Sequence, residues 1–184
     1  MRVFCLGLML LFGCVSSDPD LPPPIEPLER VLRTPLLVPE TGNESPIAVV
    51  AELTGATHEM LLALLERSGR FRTDVAPAAT RFRLETSVVA FRDDDATEGV
   101  IFDKAKSLGQ RRRAVVELSY RVLDQAGRVF MEGVLSGESL VLGVHRLEVP
   151  AAADLKTGAY WNSPFGRATR DCLDQLVRLL SDAF

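Results

Sequence analysis

The chain has 184 residues and a formal net charge of −4, from 21 Lys and Arg against 25 Asp and Glu. That balance offers no basic field to hold a nucleic-acid backbone. The length suits one domain with a real core and excludes two large ones.

The chain opens with Met1-Arg2 and then an unbroken apolar run, Val3 to Phe12. Ten residues span only about 15 Å as a helix, half of a hydrocarbon core, so the run is suited to export and not to anchorage. It ends in Leu11-Phe12-Gly13-Cys14, which resembles a lipobox, with small Gly13 just before the cysteine; bulky Phe12 departs from the usual pattern. The expectation is a signal peptide over 1–13, cleavage before Cys14, and lipidation of Cys14, with palmitate among its acyl groups. Two acyl chains with an amide-linked third hold a protein far more firmly than one chain, at about 0.8 kcal/mol per buried CH₂. By resemblance to the enteric sorting rule, Val15 in place of Asp implies the inner leaflet of the outer membrane, facing the periplasm. Loss of Cys5 and acylation of Cys14 leave Cys172 as the one thiol, so no intramolecular disulfide forms.

From Ser16 to Pro39 the sequence carries seven prolines, including Pro22-Pro23-Pro24, and little apolar periodicity. With the lipidated cysteine, residues 14–45 are therefore expected as a proline-rich tether. The folded domain is expected over 46–184. Ile47 to Ala51 has the pattern of a short buried strand, and His58 to Ser68 that of a helix stopped by Gly69. Phe71 to Val75 suits a short edge strand. From Arg81 to Phe91, residues Phe82, Leu84, Thr86, Val88 and Ala90 alternate with polar ones, the period of a half-buried strand. Ala114, Val116, Leu118, Tyr120 and Val122 repeat that period. Asp124-Gln125-Ala126-Gly127 is a turn, and Val129 to Leu135 returns antiparallel.

The last element is a helix capped by Ser163, with Pro164 at its first position. Phe165, Ala168, Cys172, Leu176, Leu179, Leu180 and Ala183 share its apolar face. The fold class is α/β: a single compact domain with a mixed four- to five-stranded sheet and two helices on one face, preceded by signal peptide and linker.

Ile47-Ala48-Val49-Val50, the strand at Leu84 to Ala90, the hairpin Val115-Glu117-Leu118-Tyr120-Arg121-Val122-Leu123-Asp124 with Gly127-Arg128-Val129, and Tyr160-Trp161-Asn162-Ser163-Pro164-Phe165-Gly166-Arg167-Ala168 together resemble the curli-secretion (CsgG-like) lipoprotein family over 46–184. That resemblance implies an envelope assembly or secretion accessory and a homo-oligomeric ring. Two features depart from it. The stretch between Ser68 and Arg81 is too short for the family's further helix, and 92–110 and 142–158 are too charged to become membrane-crossing hairpins, which argues against a pore. Leu64-Leu65-Glu66-Arg67-Ser68-Gly69-Arg70-Phe71, with Val75-Ala76-Pro77, Arg83-Leu84-Glu85 and Phe91, also resembles the auxiliary lipoproteins of ABC-type and lipid-transport systems (PqiC-like). Lipoprotein activators of penicillin-binding proteins are a third relative.

Reactive side chains are sparse. His58 and His145 are the only histidines, one expected at a helix start and one in a polar loop. A Ser139-His145-Asp154 triad has no nucleophile elbow around Ser139. Two separated histidines and one cysteine give no zinc spacing, and Asp93 to Gly99 lacks the alternation of a calcium loop. The expectation is no enzyme, no cofactor and no metal. The partners expected are the membrane, through Cys14, and an envelope protein, with no nucleic acid. Arg111, Arg112 and Arg113, in the stretch Arg92 to Arg113, are candidate partner-binding residues for headgroups or glycan, or a charge cluster at a strand start. Tyr160 and Trp161, in the stretch Leu142 to Trp161, are candidate aromatic anchors, or packing residues where the final helix begins.

Overall fold

The computed structural model describes residues 33–45, 50–95, 111–142, 146–147 and 158–184. In chain order these form β1 (Thr34–Leu37), β2 (Gly42–Asn43), α1 (Val50–Arg67), β3 (Phe71–Arg72), β4 (Phe82–Asp95), β5 (Arg111–Asp124), β6 (Val129–Leu142) and α2 (Pro164–Ala183). Single 3-10 turns stand at Pro77–Ala79 and Ala159–Asn162. Signal peptide and Cys14, Pro46 to Val49, Ala96 to Gln110, His145 and Asp154 lie outside the described residues.

The strands form one mixed six-stranded sheet in the order β3-β1-β4-β5-β6, with β2 pairing β4 beyond the end of β1. β1 and β2 run parallel to β4, while β4, β5 and β6 form an antiparallel meander of 14-residue strands. The period of two dictates the layering. Leu84 and Val88 of β4, with Ala114, Val116, Leu118 and Val122 of β5, face one way and join Leu53, Leu61 and Leu65 of α1 and Leu173, Leu176 and Leu180 of α2 in one core. Burial of such side chains contributes about 1.5–3 kcal/mol each. The single α/β domain with two helices on one face is therefore as expected, with one more strand than the sequence announces.

Four expectations change. The tether reading fails for 34–45: β1 pairs with both β3 and β4, and Leu36 is fully buried. Pro35 loses one ladder donor but already favours an extended backbone, so flanking prolines mask the apolar Leu36-Leu37-Val38. The strand expected over Ile47 to Ala51 is helical at Val50 and Ala51, where α1 begins. His58 is consequently in the middle of α1 and not at its start. In β4, a bulge between Val88 and Ala90 inserts one residue, so Ala90 leaves the core face and Phe91 takes it, stacking edge-on against Phe165 at 5.7 Å.

The ends of the elements follow local chemistry. Asp124 Oδ1 accepts from the amides of Ala126 and Arg128, and Gly127 turns the hairpin with φ 75°. Ser163 Oγ accepts from the Gly166 amide and caps α2 as its sequence announces. The buried stripe of α2 also includes Thr169, Leu173 and Val177, whereas Ala183 is exposed.

Candidate interaction surface

The face of the sheet opposite the helices is a lattice of matched charges. Arg121 of β5 meets Glu132 of β6 at 3.2 Å, and Arg113 meets Glu138 at 3.4 Å. Arg92 of β4 bonds Glu117 and lies 3.7 Å from Asp94, and Arg83 meets Glu85 at 3.0 Å. The bond to Glu117, ahead of any other cause, holds the Arg92 guanidinium above its ordinary pKa. Such exposed pairs contribute 0–1 kcal/mol each to stability, so their main consequence is a flat face that presents both signs.

Described residues from the two stretches singled out in the sequence, Asp93 and Arg112 from one and Leu147 from the other, meet at one end of this sheet. Arg112 projects to the helix side, where its Nε donates to Asp93 Oδ1 at 2.8 Å and its Nη2 donates to the Asp93 carbonyl at 2.9 Å. The second carboxylate oxygen of Asp93 accepts the Leu147 amide at 3.0 Å, pinning the connection that leads from β6 to α2. The hydrogen bond from Arg112 is the main reason that the Asp93 carboxyl lies below its usual range, with the Leu147 amide and the charges of Arg112 and Arg146 adding to it. Arg112 is thus a structural clamp, while Arg113 belongs to the outer lattice and Arg111 opens β5 opposite Leu142.

Tyr160 is not an exposed anchor. It is fully buried, its hydroxyl shares a 2.5 Å bond with Thr169 Oγ1, and burial pushes its pKa up. Trp161 is half-buried and packs edge-on to Tyr160 at 4.9 Å. The rings therefore set the angle at which α2 begins, aided by Gly166, where any Cβ would collide with the Tyr160 carbonyl.

Sequence patterning does not expose the surface along β6. This strand is an edge of the sheet, and Val134, Leu140 and Leu142 on its outer side are 61, 55 and 59% exposed. Its open backbone is closed in the middle by α2: the Glu138 amide donates to Asp171 Oδ2 at 3.1 Å, and Gln175 Nε2 donates to the Ser136 carbonyl at 3.1 Å. Gln175 also donates to Asp171, so the pair acts as one cap. Gly137 permits it, because a Cβ there would collide with the Ala168 carbonyl and the Cys172 amide. The only sequence signal was Gly137 itself, in the interior of a strand.

Among the described residues no cluster of three His, Cys, Asp or Glu is placed to hold a metal ion, and no helix is long and apolar enough to cross a membrane. Thr57 Oγ1 and His58 Nδ1 are buried without a hydrogen-bond partner among the described residues. Shallow polar clefts of about 410 Å³ by Glu44, Ser87 and Arg121, and about 570 Å³ by Leu37, Arg81 and Gln125, flank the sheet.

No family model and no curated protein matches the chain. Among solved structures, it is similar to a hypothetical protein of Chlamydia trachomatis at 10% identity and TM-score 0.54, over 80% of this chain and 95% of that one. A protein of Xanthomonas campestris matches at 16% identity and TM-score 0.45, over 84% and 85% of the two chains. A lipoprotein of Neisseria meningitidis matches at 14% identity and TM-score 0.40, over 68% and 92%. The likeness to the Chlamydia protein shows a shared fold.

Proposed function

We propose that this chain is a non-catalytic lipoprotein of a bacterial envelope, held through acylated Cys14 and docking an envelope protein through its α/β domain. The observation that carries the reading is the apolar run Val3 to Phe12 followed at once by Gly13-Cys14, the pattern of a secretory segment ending on a cysteine. A surface whose cations are largely matched by neighbouring carboxylates, with exposed Val134, Leu140 and Leu142 beside it, supports a docking role over chemistry. Within that class, the β4-β5-β6 meander and capped final helix agree with the assembly or secretion accessory implied by the curli-secretion resemblance, and Val15 favours the outer membrane.

A second reading, the transport auxiliary, is favoured by one observation. Between α1 and β4 the chain forms only the two residues of β3 and one 3-10 turn, leaving no room for a further α-helix.

The test is metabolic labelling with palmitate and membrane fractionation of the wild-type chain and of Cys14→Ser. Label and membrane residence are expected for the first and loss of label with accumulation of uncleaved chain for the second. Identical processing and fractionation of both would sink the reading. Crosslinking from Leu140 then separates the two roles: an inner-membrane permease as partner selects the auxiliary.

A further inference from the structure

We infer that the end of the sheet at which the chain enters the domain is a basic foot that rests on anionic lipid headgroups. The inference depends on the anchor reading of Cys14 for the nearness of a bilayer, and on the structure for its chemistry.

The strand register builds the foot. Thr34 donates its amide to the Arg70 carbonyl at 2.8 Å and lies opposite Phe71; Pro35 lies opposite Arg72, and Leu36 opposite Phe82. Arg33, Arg70 and Arg81 therefore stand immediately before three neighbouring strands at one end of the sheet, where strands are about 4.8 Å apart. Arg67, the last residue of α1, is one short turn from Arg70. Arg33, Arg67, Arg70 and Arg81 are all exposed, and none has an ion-pair partner among the described residues. Among the described residues Arg72, beside them, pairs only with Asp74, at 3.9 Å, whose side chain is 81% exposed. On the outer face Arg83, Arg92, Arg113 and Arg121 each have a carboxylate partner, whereas Arg33, Arg67, Arg70 and Arg81 of the foot have none among the described residues.

Apolar surface accompanies the charge. Arg81 lies 5.5 Å over the Phe82 ring, which contacts Phe130 and Phe184 at 5.4 and 4.6 Å. Phe130 and its neighbour Val129 are 52 and 50% exposed, at the same end because Phe82 pairs with Asp124 just before the hairpin turn. Guanidinium groups match phosphate oxygens in a fork, and each cation near an anionic leaflet strengthens binding about fivefold. The chain leads back from Arg33 to Cys14 through 18 residues, a length sufficient to bring this end to the surface that holds the anchor.

The experiment uses the chain from residue 14 onward carrying Cys14→Ser, so that neither acyl groups nor the apolar run Val3 to Phe12 contribute. It is sedimented with vesicles of phosphatidylcholine alone and with vesicles of which about a third is phosphatidylglycerol. Partitioning is expected to rise at least about tenfold on the anionic vesicles, and to lose that gain near 0.5 M salt, where screening acts within a few ångströms. Arg70→Glu with Arg81→Glu is expected to abolish the gain, while the equal charge reversal Arg170→Glu with Arg178→Glu on α2 preserves it. Unchanged thermal melting of both variants excludes misfolding. Equal partitioning on the two vesicles overturns the foot, and so does an equal loss from the α2 reversal, which marks net charge as the cause. Palmitate labelling of the wild type reports on Cys14 separately, so failure of the anchor and failure of the foot give different results.

Discussion

Cys172 lies on the buried stripe of α2, with its Sγ 3.5 Å from the Leu135 carbonyl and no exposed surface. Burial pushes its thiol up to about 12, so almost no thiolate exists near neutrality and the group packs as a small apolar side chain. A thiol reagent at pH 8 is expected to leave Cys172 unmodified in the folded chain and to modify it on unfolding, as peptide mapping would read. Ready modification of the native protein would contradict this placement. Tyr160 shows the opposite limit of residue-level inference. An aromatic pair next to a helix start has the same appearance in sequence whether exposed or enclosed, and the structure shows Tyr160 fully buried with its hydroxyl bonded to Thr169.

The contact between α2 and β6 illustrates how an element depends on what crosses it. At Gly137 the helix backbone lies so close that no side chain fits, which lets Asp171 and Gln175 reach over the strand edge. Gly137→Ala should force the helix outward and cost about 1–3 kcal/mol, measured as a lowered denaturation midpoint with unchanged m-value; an unchanged midpoint would show that the helix has slack. Asp171→Ala with Gln175→Ala opens the edge, and faster amide exchange at Glu138 is expected, with little change at Val116 in the core. Unpaired edges invite further strands, so this cap also protects the strand that carries Val134, Leu140 and Leu142. In β4, the bulge after Val88 reverses the alternation and turns Asp93 towards Arg112 and Leu147.

Across the whole molecule, the Asp93 clamp ties β4, β5 and the connection to α2 at the end of the sheet opposite the basic foot. Its carboxyl is depressed in the folded state, so its stabilisation is complete above the ordinary carboxylate value of about 3.9 and is lost as the pH falls through its own lower value. Asp93→Asn is expected to lower the melting temperature at neutral pH and to flatten its decline below about pH 4. A wild-type acid limb as steep as before in the variant would remove Asp93 from this role. The two ends of the sheet thus differ: one ties Arg112 to Asp93, and the other leaves Arg33, Arg67, Arg70 and Arg81 without an ion-pair partner among the described residues.

The sequence alone determined three of the strands, the β5-β6 hairpin and its turn, the cap of α2 and the face on which most of its apolar residues lie, because periodicity, turn residues and caps act within a few positions along the chain; the antiparallel pairing of β4 with β5 it did not. The apolar run Val3 to Phe12 and Cys14 lie outside the described residues and are read from the sequence alone. Tertiary structure decided the rest. Residues 34–37 and 42–43 join the sheet because β4 offers them ladder partners far away in sequence, and Val50 belongs to α1, a helix that packs on α2, β2, β3 and β4. Arg112 and Arg113, adjacent in the chain, go to opposite faces with opposite tasks, and Arg33, Arg70 and Arg81 come together from distant segments. Parity in a strand and register between strands settle such placements, and both are properties of pairing that no single segment contains.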